Sequence, residues 1–317
     1  MNENNRLAIV VPCYNEQEVL HECATHLCGV LHDLVAEQLI AENSILLFVN
    51  DGSVDATWSI MQQLCDSHQN ICAINLAHNV GHQNALMAGL DTAKEIADIA
   101  VSIDADLQDD ITVIRDMVLE YHKGNDIVYG VRKARSSDTM LKRGTAQAFY
   151  RLMSKLGAKS IYNHADYRLM SRRALCQLSR YEERNLYLRG IVPLIGYNTT
   201  CVYYDRIPRF AGVSKYPLGK MINFAIDGIT SFSVKPLRMI TMLGFLFLIM
   251  ALATAVYVLL AYLKGDVVSG WTSLIISLWF IGSLILIALG VVGEYIGKIY
   301  IEVKARPRYN IERKILK

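Results

Sequence analysis

Two long stretches in the second half of the chain carry no charge at all. One lies between Arg238 and Lys264, the other between Asp266 and Glu294. Each exceeds the ~20 residues that a helix needs to cross the hydrocarbon of a bilayer. Two such runs separated by a short polar loop do not suit a single soluble core, so they predict a two-helix transmembrane hairpin at about 239–263 and 271–293, within residues 237–297. Lys235 and Arg238 precede the first run, and Lys298, Lys304, Arg306, Arg308, Arg313, Lys314 and Lys317 follow the second. The loop between them holds only Lys264 and Asp266. This bias puts both ends on the cytoplasmic side of a multi-pass membrane protein. Residues 298–317 then read as a basic cytoplasmic tail. Residues 214–236 carry Met221, Ile222, Phe224, Ile226, Ile229 and Phe232 in an amphipathic pattern that suits a segment lying in the interface.

The preceding 213 residues read as a cytoplasmic α/β domain. Apolar, β-branched runs at 7–12, 44–49, 71–76, 98–103 and 126–132 alternate with helical patterns at 15–39, 54–68, 81–97 and 111–123. That alternation predicts a mainly parallel, Rossmann-like sheet covered on both faces. Further helices are expected at 141–156 and 171–181, with loops around 162–167 and 206–217. The net charge of +2 gives no electrostatic footprint for nucleic acid. The seven cysteines have neither zinc spacing nor a Cys-x-x-Cys pair and read as reduced thiols. The N-terminus enters the first strand without a signal-peptide pattern.

Open parallel sheets bind ligands beyond the carboxyl ends of their strands. Three of those ends are polar here: Pro12-Cys13-Tyr14-Asn15-Glu16, Asn50-Asp51-Gly52-Ser53 and Asp104-Ala105-Asp106. Asp104 and Asp106 are candidates to hold Mg²⁺ or Mn²⁺ against a diphosphate, because hard cations take carboxylate oxygens and leave positions for phosphate. Asp109 or Asp110 serves equally as a helix N-cap. Asp51 suits a nucleotide base or ribose, or the Gly-containing turn itself. Glu16 suits the same donor site or the dipole of its own helix. No dinucleotide glycine fingerprint, P-loop or serine elbow occurs. His78 and His82 lack the intervening glutamate of zinc proteases and read as polar surface or loop packing.

These motifs, with Asn79-Val80-Gly81-His82 and Asp104-Ala105-Asp106-Leu107-Gln108-Asp109, resemble in order the inverting family 2 glycosyltransferases. Asp166-Tyr167-Arg168-Leu169-Met170, the run from Arg209 to Tyr216, and Gly293-Glu294-Tyr295-Ile296-Gly297 resemble the polyprenyl-phosphate branch, near bactoprenol glucosyltransferases and related to dolichol-phosphate mannose synthases. Asn50 departs from relatives that carry a second aspartate. The Gln-x-x-Arg-Trp motif of processive members is absent, which argues for transfer of one sugar.

The resemblance implies a GT-A fold, a UDP-sugar donor and undecaprenyl phosphate as acceptor at the bacterial inner membrane. Glucose is the first choice of sugar and N-acetylglucosamine the next. Donor contacts are implied at Pro12, Tyr14, Glu16, Asp51, Asp104 and Gln108. Asp166 lies in the catalytic group as a base or, preferably, an orienting group, since a phosphate nucleophile is already charged at neutral pH. Arg132, Arg143, Arg209 and Lys215 are candidates to hold the lipid phosphate. Gly244, Gly282, Gly290, Gly293 and Gly297 permit close helix packing, and a homotetramer is implied by resemblance alone. Transfer to diacylglycerol, and a non-catalytic sugar-nucleotide scaffold, are the competing readings.

Overall fold

The computed structural model describes residues 5–133, 164–184, 186–205, 235–263 and 270–317. The chain divides into two compact units. Among the described residues, the first takes everything before residue 206 together with Arg306–Lys317, and the second takes residues 235–263 and 270–305. The expected helix at 141–156, most of the interfacial segment, and Arg143, Arg209 and Lys215 lie outside the described residues.

The first unit is built on an eight-stranded sheet. In chain order its strands are β1 (Leu7–Cys13), β2 (Ile45–Asn50), β3 (Ile71–Leu76), β4 (Ile99–Ser102), β5 (Ile127–Arg132), β6 (His164–Ser171), β7 (Thr199–Tyr204) and β8 (Ile311–Ile315). They lie side by side as β7-β5-β6-β4-β1-β2-β3-β8. β1 pairs in parallel with β2 and β4, β2 with β3, and β5 with β7. β6 runs antiparallel between β4 and β5, and β8 antiparallel beside β3. The sheet is therefore mixed and mostly parallel, as the alternation of strand and helix patterns requires.

Both faces are covered, which explains why β1 and β2 are buried at every position. One face carries Leu7, Ile9, Val11, Leu46, Phe48, Val101 and Leu169. They pack with Leu20, Leu27, Leu31 and Leu34 of α1 (Leu20–Ala36), Met61 and Leu64 of α2 (Thr57–Ser67), and Ile114, Met117 and Val118 of α4 (Val113–His122). Each fully buried leucine or isoleucine contributes about 2 kcal/mol of transfer free energy. The other face receives α3 (His82–Ile96), whose Gly89 lies directly on Val10 and Val49. A methyl group there would overlap both valines, so the close approach of α3 requires glycine.

Two expectations are corrected here. Of the loop expected around 162–167, residues 164–167 are instead the start of β6, and the rest lies outside the described residues. Asp166 and Arg168 interrupt its apolar pattern because their side chains serve the site rather than the core. The basic segment 298–317 is not a free tail. Its first residues continue a helix, and Ile311–Ile315 closes the β3 edge of the sheet. Ile315 packs on the core while Glu312, Arg313 and Lys314 are exposed, the charged habit of an edge strand.

The second unit contains α7 (Lys235–Leu263) and α8 (Trp271–Lys304). Phe247 and Phe280 meet edge to face at 5.9 Å between the two helices. Phe280–Lys304 is long and apolar enough to cross a membrane, and an 18-residue window within it has a mean hydropathy of 2.0. Its large apolar residues, among them Ile285, Leu286, Leu289 and Ile296, are exposed rather than packed inside the protein. α8 runs past the expected boundary at residue 293 to Lys304.

Candidate active site

The carboxyl ends of β1, β2 and β4 open on one edge of the sheet because these strands are parallel. The antiparallel β6 brings its first residues to that edge. Ser102, at the end of β4, pairs with Arg168 and donates its hydroxyl to the Asp166 carbonyl at 2.5 Å. Asp104 and Asp106 follow β4 in a tight loop. The Gln108 N–H donates to Asp106 Oδ1 at 3.2 Å, and Leu107 takes a positive φ of 52°. Gln108 itself is buried. Neither Asp109 nor Asp110 caps α4, whose N-cap is Thr112 without a side-chain cap bond; Asp110 accepts from the Thr112 N–H and hydroxyl in the turn before it.

Partial burial raises the Asp104 carboxyl above its ordinary range. His82 opposes the rise, and the negative charges of Asp166, Asp109 and Asp106 add to it. Asp166 shows the reverse. Burial works against its charge, but Arg189, Arg168 and His82 outweigh burial and hold it well below the usual carboxylate range. Arg168 Nη2 meets Asp166 Oδ1 at 2.5 Å, and Arg189 Nη2 meets Oδ2 at 3.2 Å. His82 Nε2 stands between the two acids, 3.6 Å from Asp104 Oδ1 and 3.8 Å from Asp166 Oδ2.

The candidate donor loops are bound to each other. Asp51 accepts from the Val80 and Gly81 N–H groups at 2.7 and 3.1 Å, fixing the β2 loop against the entry to α3. Its burial nevertheless raises the carboxyl. Gly52 has φ +61° and lies so close to His78 and Asn79 that any Cβ would overlap their backbone. The Asn15 N–H donates to Ser53 Oγ at 3.0 Å, and the Glu16 N–H to Thr57 Oγ1 at 2.9 Å. Pro12 is buried, Glu16 half-buried and Tyr14 exposed.

Arg132, at the end of β5, grips Asp109 Oδ1 through Nε at 3.1 Å and Nη2 at 2.9 Å. The Tyr204 hydroxyl donates to the same oxygen at 2.7 Å. Burial disfavours the Arg132 charge, but Asp109 and Tyr204 prevail and raise its guanidinium. Arg132 thus stands at the site edge already oriented by a buried acid.

A family model, Glycosyl transferase family 2, matches residues 8–178, from β1 to the helix α5 (Arg172–Leu178) that follows β6. The chain belongs to glycosyl transferase family 2. Glycosyltransferase YkoT of Bacillus subtilis (strain 168) is 55% identical over 306 residues, covering 96% of this chain and 91% of that relative. The SfII prophage-derived bactoprenol glucosyl transferase of Shigella flexneri is 40% identical over 312 residues, covering 97% and 98%. The prophage bactoprenol glucosyl transferase homolog of Escherichia coli (strain K12) is 38% identical over 312 residues, covering 97% and 99%.

The donor set of this glycosyltransferase fits a hard divalent cation. Asp104 and Asp106 offer carboxylate oxygens in a site where burial, and after it the nearby Asp166, Asp109 and Asp106, disfavour the Asp104 charge that a cation would stabilise. Among the described residues no three acids, histidines or cysteines form a cage, so two carboxylates would leave the other positions to water and phosphate oxygens.

Structure adds three residues that sequence reasoning leaves out of this glycosyltransferase site. His82 reads as loop packing in the sequence, yet as the first residue of α3 it faces both acids. Arg189 lies on the short helix α6 (Leu188–Ile191), where no motif marks it. Arg168 stands inside the motif that carries the resemblance, but its full burial beneath Asp166 is visible only in three dimensions.

Proposed function

We propose that this family 2 glycosyltransferase moves one sugar, first glucose, from a UDP-sugar to undecaprenyl phosphate at the cytoplasmic face of the bacterial inner membrane. Near full-length similarity to relatives named bactoprenol glucosyl transferase supports the acceptor class. A chain of this composition with the apolar helix α8 supports membrane attachment, which keeps the enzyme where a polyprenyl tail is confined. The observation that carries the mechanism is the opposition of two kinds of carboxylate on one sheet edge. Asp104 is raised first by burial and further by the neighbouring acids, whereas Asp166 is paired by Arg168 at 2.5 Å and Arg189 at 3.2 Å.

In this reaction an oxygen of the acceptor phosphate attacks the anomeric carbon. The bond to the donor diphosphate breaks, and UDP leaves with the electron pair, so the anomeric configuration inverts. Asp104 and Asp106 would hold Mg²⁺ or Mn²⁺, which when bound would supply positive charge to the leaving diphosphate. Pro12, Tyr14, Glu16, Asp51 and Gln108 shape the donor pocket. Asp166 is a poor proton acceptor at neutral pH because Arg189 and Arg168 stabilise its ionised form. Its role is therefore to orient these arginines and a sugar hydroxyl. The acceptor phosphate is largely dianionic at neutral pH, with a second pKa near 6, and needs positioning rather than deprotonation. Arg132, braced by Asp109, supplies one cation for it, and Arg143, Arg209 and Lys215 are assigned to the same task.

The test is transfer of label from a panel of UDP-sugars to undecaprenyl phosphate by purified full-length protein in detergent, with Mg²⁺, Mn²⁺ or EDTA. Metal-dependent label in the lipid phase from one donor supports the reading and names the sugar. Label on diacylglycerol, or donor binding without turnover, overturns it.

A further inference from the structure

The strand that follows the membrane-type helices reaches back toward the donor loops through side-chain amides. β3 and β8 pair with a register shift between Asn75 and Leu76: Asn75 faces Arg313 and Leu76 faces Ile311. Glu312 is the extra residue, and a bulge of this kind re-aims its side chain. Glu312 Oε2 accepts from Asn75 Nδ2 at 2.6 Å. Across the β2–β3 pair, Asn75 Oδ1 accepts from Asn50 Nδ2, also at 2.6 Å. Asn50 Oδ1 in turn accepts from the Ser53 N–H at 3.3 Å.

The two ends of this relay have fixed polarity. A carboxylate only accepts and a backbone N–H only donates, whereas each amide does both. Acceptor at one end and donor at the other leave one orientation in which every junction is a hydrogen bond. Ser53 is also where the two donor loops join, since its hydroxyl accepts from the Asn15 N–H and Asn15 Oδ1 accepts from the Val54 N–H. We infer that Glu312 and Asn75 are positioning residues for the nucleotide-sugar site. Through Asn50 and Ser53 they set the loops that carry Tyr14, Glu16 and Asp51, so the segment following the membrane helix tunes donor affinity. This inference rests on the assignment of those loops to the donor.

Polarity gives a test that a merely structural contact would not pass. Glu312→Lys makes both ends donors and leaves one junction with two donors facing. Asn50→Asp, with Glu312 intact, leaves one junction with two acceptors facing. The double variant satisfies all three junctions: the introduced ammonium would donate to Asn75, and Asn75 and Ser53 would both donate to the new carboxylate. In the full-length protein, each single variant is expected to raise the donor KM roughly tenfold, with kcat and acceptor KM within about twofold. The double variant is expected to return to within about threefold of the parent. Glu312→Ala, where water replaces the acceptor, should have the smallest effect.

Amide hydrogen exchange at Ser53 is measured on the parent, the two single charge variants and the double. Protection should be lost in both single charge variants and restored in the double. Single variants without effect, or a double variant showing the sum of two losses, overturns the relay. If the parent transfers no sugar from any UDP-donor yet the exchange pattern holds, the donor assignment falls and the relay stands as a loop-ordering device.

Discussion

Arg168 Nη2 lies 2.5 Å from Asp166 Oδ1, and the arginine side chain is only 1% exposed. A charge buried so completely is tolerable because its partner is ionised. Asp166→Asn should therefore cost about 3 kcal/mol of stability by stranding that guanidinium. The sign with pH follows from the lowered Asp166 carboxyl. Its stabilising share is present above the unfolded carboxylate value and is lost as pH falls toward the folded one. In denaturant melts the gap between parent and variant should stay constant from about pH 8 to 5 and narrow below about pH 4.

Asp106→Ala and Asp104→Asn should each reduce transfer roughly a hundredfold or more, because charge on the leaving diphosphate loses its counter-ion. The protein should still melt as a folded chain. Retained transfer in Asp106→Ala, measured as label in the lipid phase, would contradict the metal assignment.

For Arg132 the informative quantity is which substrate suffers. Arg132→Ala should raise the KM for undecaprenyl phosphate about tenfold while leaving the donor KM within about twofold. Equal changes in both constants would mark the Asp109–Arg132–Tyr204 cluster as scaffolding alone.

His82 stands within 4 Å of both Asp104 and Asp166. His82→Ala should lower kcat/KM about tenfold and alter the ratio of activities across the UDP-sugar panel. An unchanged sugar preference with unchanged rate would return His82 to loop packing.

Much of this site could be read from residues alone. The β-branched runs of β1 to β4 and the carboxylates that follow them placed Asp51, Asp104 and Asp106 on one edge, since parallel strands share an open end. What stayed hidden has physical reasons. β6 breaks the apolar pattern because Asp166 and Arg168 face a polar site inside the sheet. β8 looks like a basic tail because an exposed edge strand carries Glu312, Arg313 and Lys314 outward and only Ile311 and Ile315 inward. His82 and Arg189 come from separate segments, and only the packing of α3 and α6 onto the β6 end of the edge brings them together.

Deleting residues 306–317 would uncover the β3 edge from Ala73 to Leu76. The truncated protein should aggregate in detergent and show a lower Tm than the parent, measured by light scattering and thermal melts. A monodisperse truncation with the parental Tm would show the strand to be dispensable.

β8 also fixes an order of events during synthesis. Domains ordinarily fold as they leave the ribosome, yet here the last strand of the sheet is translated after both apolar helices. The first seven strands can assemble early, but their β3 flank stays open until α7 and α8 have been made. The sheet of the first unit therefore closes its β3 flank only after both apolar helices have been translated.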